Sequence, residues 1–146
     1  MINHNRPIVA FFLVPKSEVI YEVESSTMRQ ALERMEYHRY SAIPILDDQG
    51  RYVSTITEGD LLWKIKNDQL SFQDTNHVKL TEIPKKMKNL TVSINASVEK
   101  LILLAGEQNF VPVTDDQGYF IGIVKRGDII RYCYDHIFSA SQSSSK

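Results

Sequence analysis

SAIPILDDQGRYVSTITEGDLL (residues 41–62) is matched, 68 residues on, by NFVPVTDDQGYFIGIVKRGDII (residues 109–130). Both stretches contain DDQG, and an Asp-rich turn closed by Gly is an ordinary hairpin connection. The flanks remove coincidence. Pro44 aligns with Pro112, Gly59-Asp60 aligns with Gly127-Asp128, and the apolar positions that follow each turn correspond one for one.

The similarity runs upstream, with two fewer residues between helix start and proline in the second copy. STMRQALERME and SVEKLILLAGE each begin at a hydroxyl residue suited to an N-cap, Thr27 and Ser97, and then place apolar side chains at helical spacing. Met28, Ala31, Leu32 and Met35 form one stripe; Val98, Leu101, Ile102 and Ala105 form the other. Short extended segments, residues 19–23 and 90–94, precede these helices, and the steps Pro15-Lys16 and Pro84-Lys85 precede those. The predicted unit is strand, helix, strand, turn, strand, helix, about 50 residues long.

The whole chain of 146 residues suits one compact domain or two small copies sharing a core. A hydrophobic fraction of 42% beside 24% charged residues is ordinary for a globular protein. With 17 basic and 18 acidic side chains the formal net charge is -1, which argues against bulk attraction to nucleic acid. The aromatics Tyr52, Tyr119 and Phe120 alternate inside strand patterns and are expected to pack the sheets. A single cysteine, Cys133, forms no internal disulfide and reads with Ile129, Ile130 and Ile137 as a packed helix face, so the compartment reads as cytoplasmic. The longest apolar run, IVAFFLV at residues 8–14, is too short to span a bilayer and reads as a buried opening strand or helical turn. The expected division is an N-terminal segment 1–13, a first repeat 14–67, a linker loop 68–82, a second repeat 83–138 and a disordered Ser-rich tail 139–146. In IPKKMKN, Lys85, Lys86 and Lys88 read either as a solvated loop or as phosphate contacts.

Catalysis finds little support. His4, His38, His77 and His136 show no metal-binding spacing, and neither a P-loop nor a Rossmann glycine pattern occurs, so the chain reads as no enzyme.

Two copies of this unit, each with a proline before the Asp-rich turn and a Gly-Asp opening the last helix, resemble a tandem pair of cystathionine-beta-synthase (CBS) domains, the Bateman module. The resemblance spans roughly residues 14–137. It implies an α/β (α+β) fold of two CBS repeats, strand-helix-strand-strand-helix, in pseudo-twofold arrangement, whose clefts take adenine nucleotides in many members. It also implies a ribose-binding Thr or Ser at the end of the last strand and an Asp three residues later. The first copy matches with Thr57 and Asp60; the second keeps Asp128 but has Lys125 in place of the Thr. The base is then expected against Ser41, Ala42 and Ile43 in one copy and Asn109, Phe110 and Val111 in the other. Lys16, Ser17 and Val19, with Lys88 and Leu90, are the expected opposite wall, and Arg126 is the expected phosphate contact.

A second account of TEGD stands beside this one: Thr57 and Asp60 also spell a capping box that needs no ligand. An ionised Asp is equally suited to two hydroxyls of a cis-diol, and the two roles can coexist. The implied function is a non-catalytic regulatory module that binds AMP, ADP or ATP and signals to a partner. The alternatives are a cyclic di-AMP receptor of the same fold and a ligand-free interaction module. No resident cofactor is expected beyond the regulatory nucleotide, with Mg2+ as its companion ion. The expected partners are an adenosyl-containing small molecule, an unidentified protein and a second copy of the chain, joined through Leu61, Leu62, Ile65, Ile129, Ile130 and Cys133; nucleic acid and membrane are not expected.

Overall fold

The computed structural model describes residues 7–144, with the backbone alone from residue 139. In chain order the elements are β1 (Val14–Pro15), β2 (Glu22–Val23), α1 (Met28–His38), β3 (Ala42–Leu46), β4 (Tyr52–Thr57) and α2 (Glu58–Asp68). The second half repeats the last five of these as β5 (Val92–Ser93), α3 (Val98–Ala105), β6 (Phe110–Thr114), β7 (Phe120–Lys125) and α4 (Arg126–Ser144). They divide between two compact units, one of residues 20–89 with 118–120, the other of the remaining chain.

In the first unit β3 lies between β2, parallel to it, and β4, antiparallel to it, with Ile43 opposite Ile56 and Ile45 opposite Ser54. The hairpin turn is built as its letters suggest. Asp47 Oδ1 accepts the N–H groups of Gln49 and Arg51, each at 2.9 Å, and Gly50 takes a φ of 85° that a side chain would resist. The copy repeats the device, with Asp115 Oδ1 accepting from Gln117 at 2.9 Å and Gly118 at φ 87°.

Met28, Ala31 and Met35 turn the apolar stripe of α1 onto Ile43, Ile45 and Ile56, and Leu61 of α2 joins this core. Each of these Met, Ile and Leu side chains contributes roughly 1.5–3 kcal/mol by leaving water. Thr27 caps α1 in a full capping box with Gln30. In the second unit Leu101, Val111, Val113, Val124 and Ile129 form the corresponding core. There the expectations fail at two points: Ser97 makes no side-chain cap bond, and Ile102 is exposed. With only eight residues, α3 buries a narrower stripe than α1 does.

The edge segments of the two units come from outside the repeats they complete. Val14 pairs antiparallel with Ile123, and Val9 donates to the Ala96 carbonyl at 3.0 Å, so residues 7–19 complete the sheet of the second repeat. Conversely Thr55 donates to the Met87 carbonyl at 2.9 Å, and residues 83–89 complete the first. Each unit thus takes its outer edge from the segment that precedes the other repeat. The linker is no free loop either: Met28 donates to the Val78 carbonyl, Leu80 donates to the Ser26 carbonyl, and Leu80 is fully buried. The opening apolar run forms a 3-10 turn, Val9–Phe12, ahead of β1. At the other end α4 continues to Ser144 through six residues expected to be a tail, since no Gly or Pro interrupts it. Ser145, Lys146 and His4 lie outside the described residues.

Candidate functional site

The junction of β4 and α2 is set by Thr57 and Asp60. Thr57 is extended and its Oγ1 accepts the Asp60 N–H at 3.1 Å, while Asp60 Oδ2 accepts the Thr57 N–H at 3.0 Å. The capping box expected from TEGD is therefore present. Asp60 is nonetheless a buried carboxylate, 7% exposed, and it lines a cavity of about 350 Å³. Trp63, Lys64 and Asp68 continue that wall along α2, and Pro84 and Lys86 face them.

Lys64 Nζ meets Asp68 Oδ2 at 2.6 Å, so these two charges neutralise each other. Lys85 is directed elsewhere: its ammonium donates to the carbonyls of Leu80 at 2.6 Å and Ile83 at 2.9 Å and fastens the linker. Burial lowers the Lys85 pKa, and the Asp60 and Glu24 carboxylates pull it part of the way back. Of the lysines in IPKKMKN, Lys86 is the one at the cavity; Lys88 is exposed and outside its lining.

The second unit holds an equivalent cavity, about 720 Å³, beside α4. Asp128, Arg131, Tyr132, Asp135 and His136 line it at the positions that Asp60, Trp63, Lys64, Asn67 and Asp68 hold on α2. Phe11, Phe12 and Leu13 form the facing wall. Lys125 is exposed at the end of β7 and supplies no hydroxyl cap, leaving Asp128 exposed as well. Arg126, the expected phosphate contact, donates through Nε to the Gln108 carbonyl at 2.8 Å.

The expected base-binding residues do not line either cavity. Ser41 and Asn109 are exposed, and their carbonyls accept the first N–H of the following helix, from Glu58 at 3.0 Å and Arg126 at 3.2 Å. Ala42 is half-buried, whereas Ile43, Phe110 and Val111 are buried, Ile43 and Val111 within the cores of their units. Lys16, Ser17 and Val19 belong to the unit of the second repeat, not the first. Leu90 is exposed, with its backbone held by a residue that no pattern marked. Gln108 accepts the Leu90 N–H at 2.8 Å and donates to the Leu90 and Phe110 carbonyls at 3.1 and 3.2 Å. A lone Gln ahead of a strand carries no periodic signal.

The expected interface residues also separate. Leu61 and Ile129 are buried at 3% and 1% exposure and face their own cores, which removes them from any interface. Leu62 and Ile130 are exposed, and Ile65 and Cys133 are half-buried. Among the described residues no helix is long and apolar enough to cross a membrane, and no three His, Cys, Asp or Glu side chains gather to hold a metal ion.

A family model described as the CBS domain matches residues 13–67 and 80–135. The CBS domain-containing protein CBSX1, chloroplastic, of Arabidopsis thaliana is 23% identical over 147 residues, across 84% of this chain. The match spans 62% of that relative's length. Among solved structures, CbpB in complex with c-di-AMP superposes with a TM-score of 0.80 at 18% identity, covering 94% of this chain and 91% of that one. CBSX2 in complex with AMP superposes with a TM-score of 0.67 at 24% identity, over 88% of this chain and 96% of that one. These likenesses establish the fold.

Proposed function

The chain belongs to the CBS-domain family, and from that premise we propose that it is a non-catalytic regulatory module binding an adenine nucleotide beside the N-terminus of α2. The observation that carries the reading is Asp60. Its Oδ2 closes the capping box, and the carboxylate lines a cavity although it is buried. An ionised carboxylate has more acceptor sites than one backbone N–H uses, which leaves capacity for ribose hydroxyls. Trp63 offers a flat apolar wall and Lys86 a cation for phosphate in the same cavity. A Mg2+ ion would arrive on the phosphates of a di- or triphosphate.

The ligands of two similar structures support this ligand class. CBSX2 has been crystallised with AMP and CbpB with c-di-AMP, and the cyclic dinucleotide is the second reading. Signal transfer requires that ligand bind two arrangements of the chain unequally. A homodimer or a protein partner would receive it through the groove of α1 and α2, about 400 Å³, where Leu62 and Ile65 lie beside Leu32 and Met35.

A thermal-shift panel of adenosine, AMP, ATP, cyclic di-AMP and the guanine counterparts tests this. At a hundredfold excess over Kd, a ligand specific for the native state adds about 2.7 kcal/mol of stability. An adenine-selective rise supports the reading. A flat panel overturns it and leaves Thr57 and Asp60 with capping alone.

A further inference from the structure

The cavities beside α2 and α4 are equivalent in position and opposed in chemistry. Trp63 corresponds to Arg131, Lys64 to Tyr132, Asn67 to Asp135 and Asp68 to His136, while the carboxylates Asp60 and Asp128 are common to both. In the α2 cavity the carboxylates are engaged, Asp60 in the capping box and Asp68 on Lys64. Lys86 has no ion-pair partner among the described residues, so the balance there favours an anion.

The α4 cavity has the reverse balance. Asp128 and Asp135 set two carboxylates against the single guanidinium of Arg131, and none of the three takes part in an ion pair among the described residues. His136 Nδ1 lies 2.9 Å from the Tyr132 carbonyl, which ties down one ring nitrogen. The remaining surface is aromatic. Phe11 meets Phe12 edge to face at 5.1 Å, Phe12 meets Tyr132 edge to face at 5.3 Å, and Tyr132 lies 3.9 Å from His136 with the rings tilted by 37°.

We propose that the two cavities sort adenine compounds by charge: the α2 cavity takes the phosphorylated nucleotide, and the α4 cavity takes an aromatic ligand without phosphate, an adenine nucleoside. This rests on the reading that the α2 cavity receives an adenine nucleotide, and it extends that reading to the equivalent cavity beside α4. Rings suit stacking on a planar base, and a pair of carboxylates accepts ribose hydroxyls but repels a phosphate dianion. One misplaced charge at such a partly exposed site alters affinity about tenfold.

Titration calorimetry of the full chain with AMP, and then with adenosine in the presence of saturating AMP, tests the proposal. The expected result is one AMP site per chain and one further adenosine site that AMP does not block. Lys86→Glu, a surface change, is expected to weaken AMP about tenfold and leave adenosine unaffected; Tyr132→Ala is expected to do the opposite. Two equal AMP sites, or adenosine competing with AMP for a single site, would overturn charge sorting while the nucleotide reading stood. Binding of neither compound would remove charge sorting together with the mononucleotide reading. The wild-type competition decides the matter even where Tyr132→Ala does not fold.

Discussion

Gly122 and Val14 approach so closely that a Cβ on Gly122 would stand 2.1 Å from the Val14 carbonyl oxygen and 2.7 Å from Leu13 Cδ1. Only glycine lets β1 lie on β7 at this point, and its φ of 156° agrees. Gly122→Ala must push β1 outward, breaking the pairing of Val14 with Ile123. The expected loss is at least about 2 kcal/mol of unfolding free energy, read from the urea midpoint. Because Leu13 and Val14 also wall the α4 cavity, binding there should fall with it. An unchanged midpoint would show that β1 contributes nothing.

Ser54 occupies the corresponding position of the first repeat and makes the opposite prediction. Its Oγ is buried with no hydrogen-bond partner among the described residues, on a strand position facing Ile45. An unpaired buried hydroxyl costs stability that an alanine methyl does not. Ser54→Ala is therefore expected to raise unfolding free energy by up to about 1 kcal/mol. Destabilisation in the same assay would mean that the hydroxyl has a partner in solution.

How far these features were legible depends on the length of pattern behind each. The repeat, its helices and its turns were readable because α1, α2 and both DDQG turns carry periodicity or turn chemistry over many residues. The exchange of edge segments was not. β1, β2 and β5 have two residues each, too few to alternate, and Pro15-Lys16 and Pro84-Lys85 say nothing about which sheet edge they reach. Likewise the spacing of Leu61, Leu62, Ile129 and Ile130 marks an apolar face but not which pair turns inward. At the candidate site the Asp positions were readable through the repeat. Trp63, Lys86 and the aromatic wall of Phe11 and Phe12 were not, because their roles arise from tertiary proximity.

Tyr52 should make the protein sensitive to alkali. Its hydroxyl bonds Thr55 Oγ1 at 2.7 Å and accepts the Asn89 N–H at 2.9 Å, and burial raises its pKa above the ordinary 10.0 even though both bonds act to lower it. A raised folded-state pKa gives stability that is complete below the unfolded value and declines as pH rises through the folded one. Lys85 works in the other direction, since its lowered pKa penalises the folded state until pH climbs through its folded value. In the Lys85→Met background, unfolding free energy should fall above about pH 10, and Tyr52→Phe should flatten that slope while costing about 1 kcal/mol at neutral pH. A slope unaffected by Tyr52→Phe would assign the alkaline loss to another group.

On the proposed reading, one substitution separates capping from ligand binding at α2, because the cap bond engages only Oδ2 of Asp60. Oδ2 accepts the Thr57 N–H, and an asparagine places its carbonyl oxygen there without loss of the bond. The second oxygen becomes an NH2 group, a donor where ribose hydroxyls require an acceptor. Asp60→Asn should therefore melt within a few degrees of wild type, with a loss of roughly 0.5 kcal/mol from the weaker dipole interaction. Adenine-nucleotide affinity should fall at least about tenfold, the loss of a charge-assisted bond. Thr57→Ala should behave conversely, costing about 1 kcal/mol of stability by removing the acceptor for the Asp60 N–H. If Asp60→Asn binds AMP as wild type does in calorimetry, the carboxylate is a cap and the nucleotide lies elsewhere.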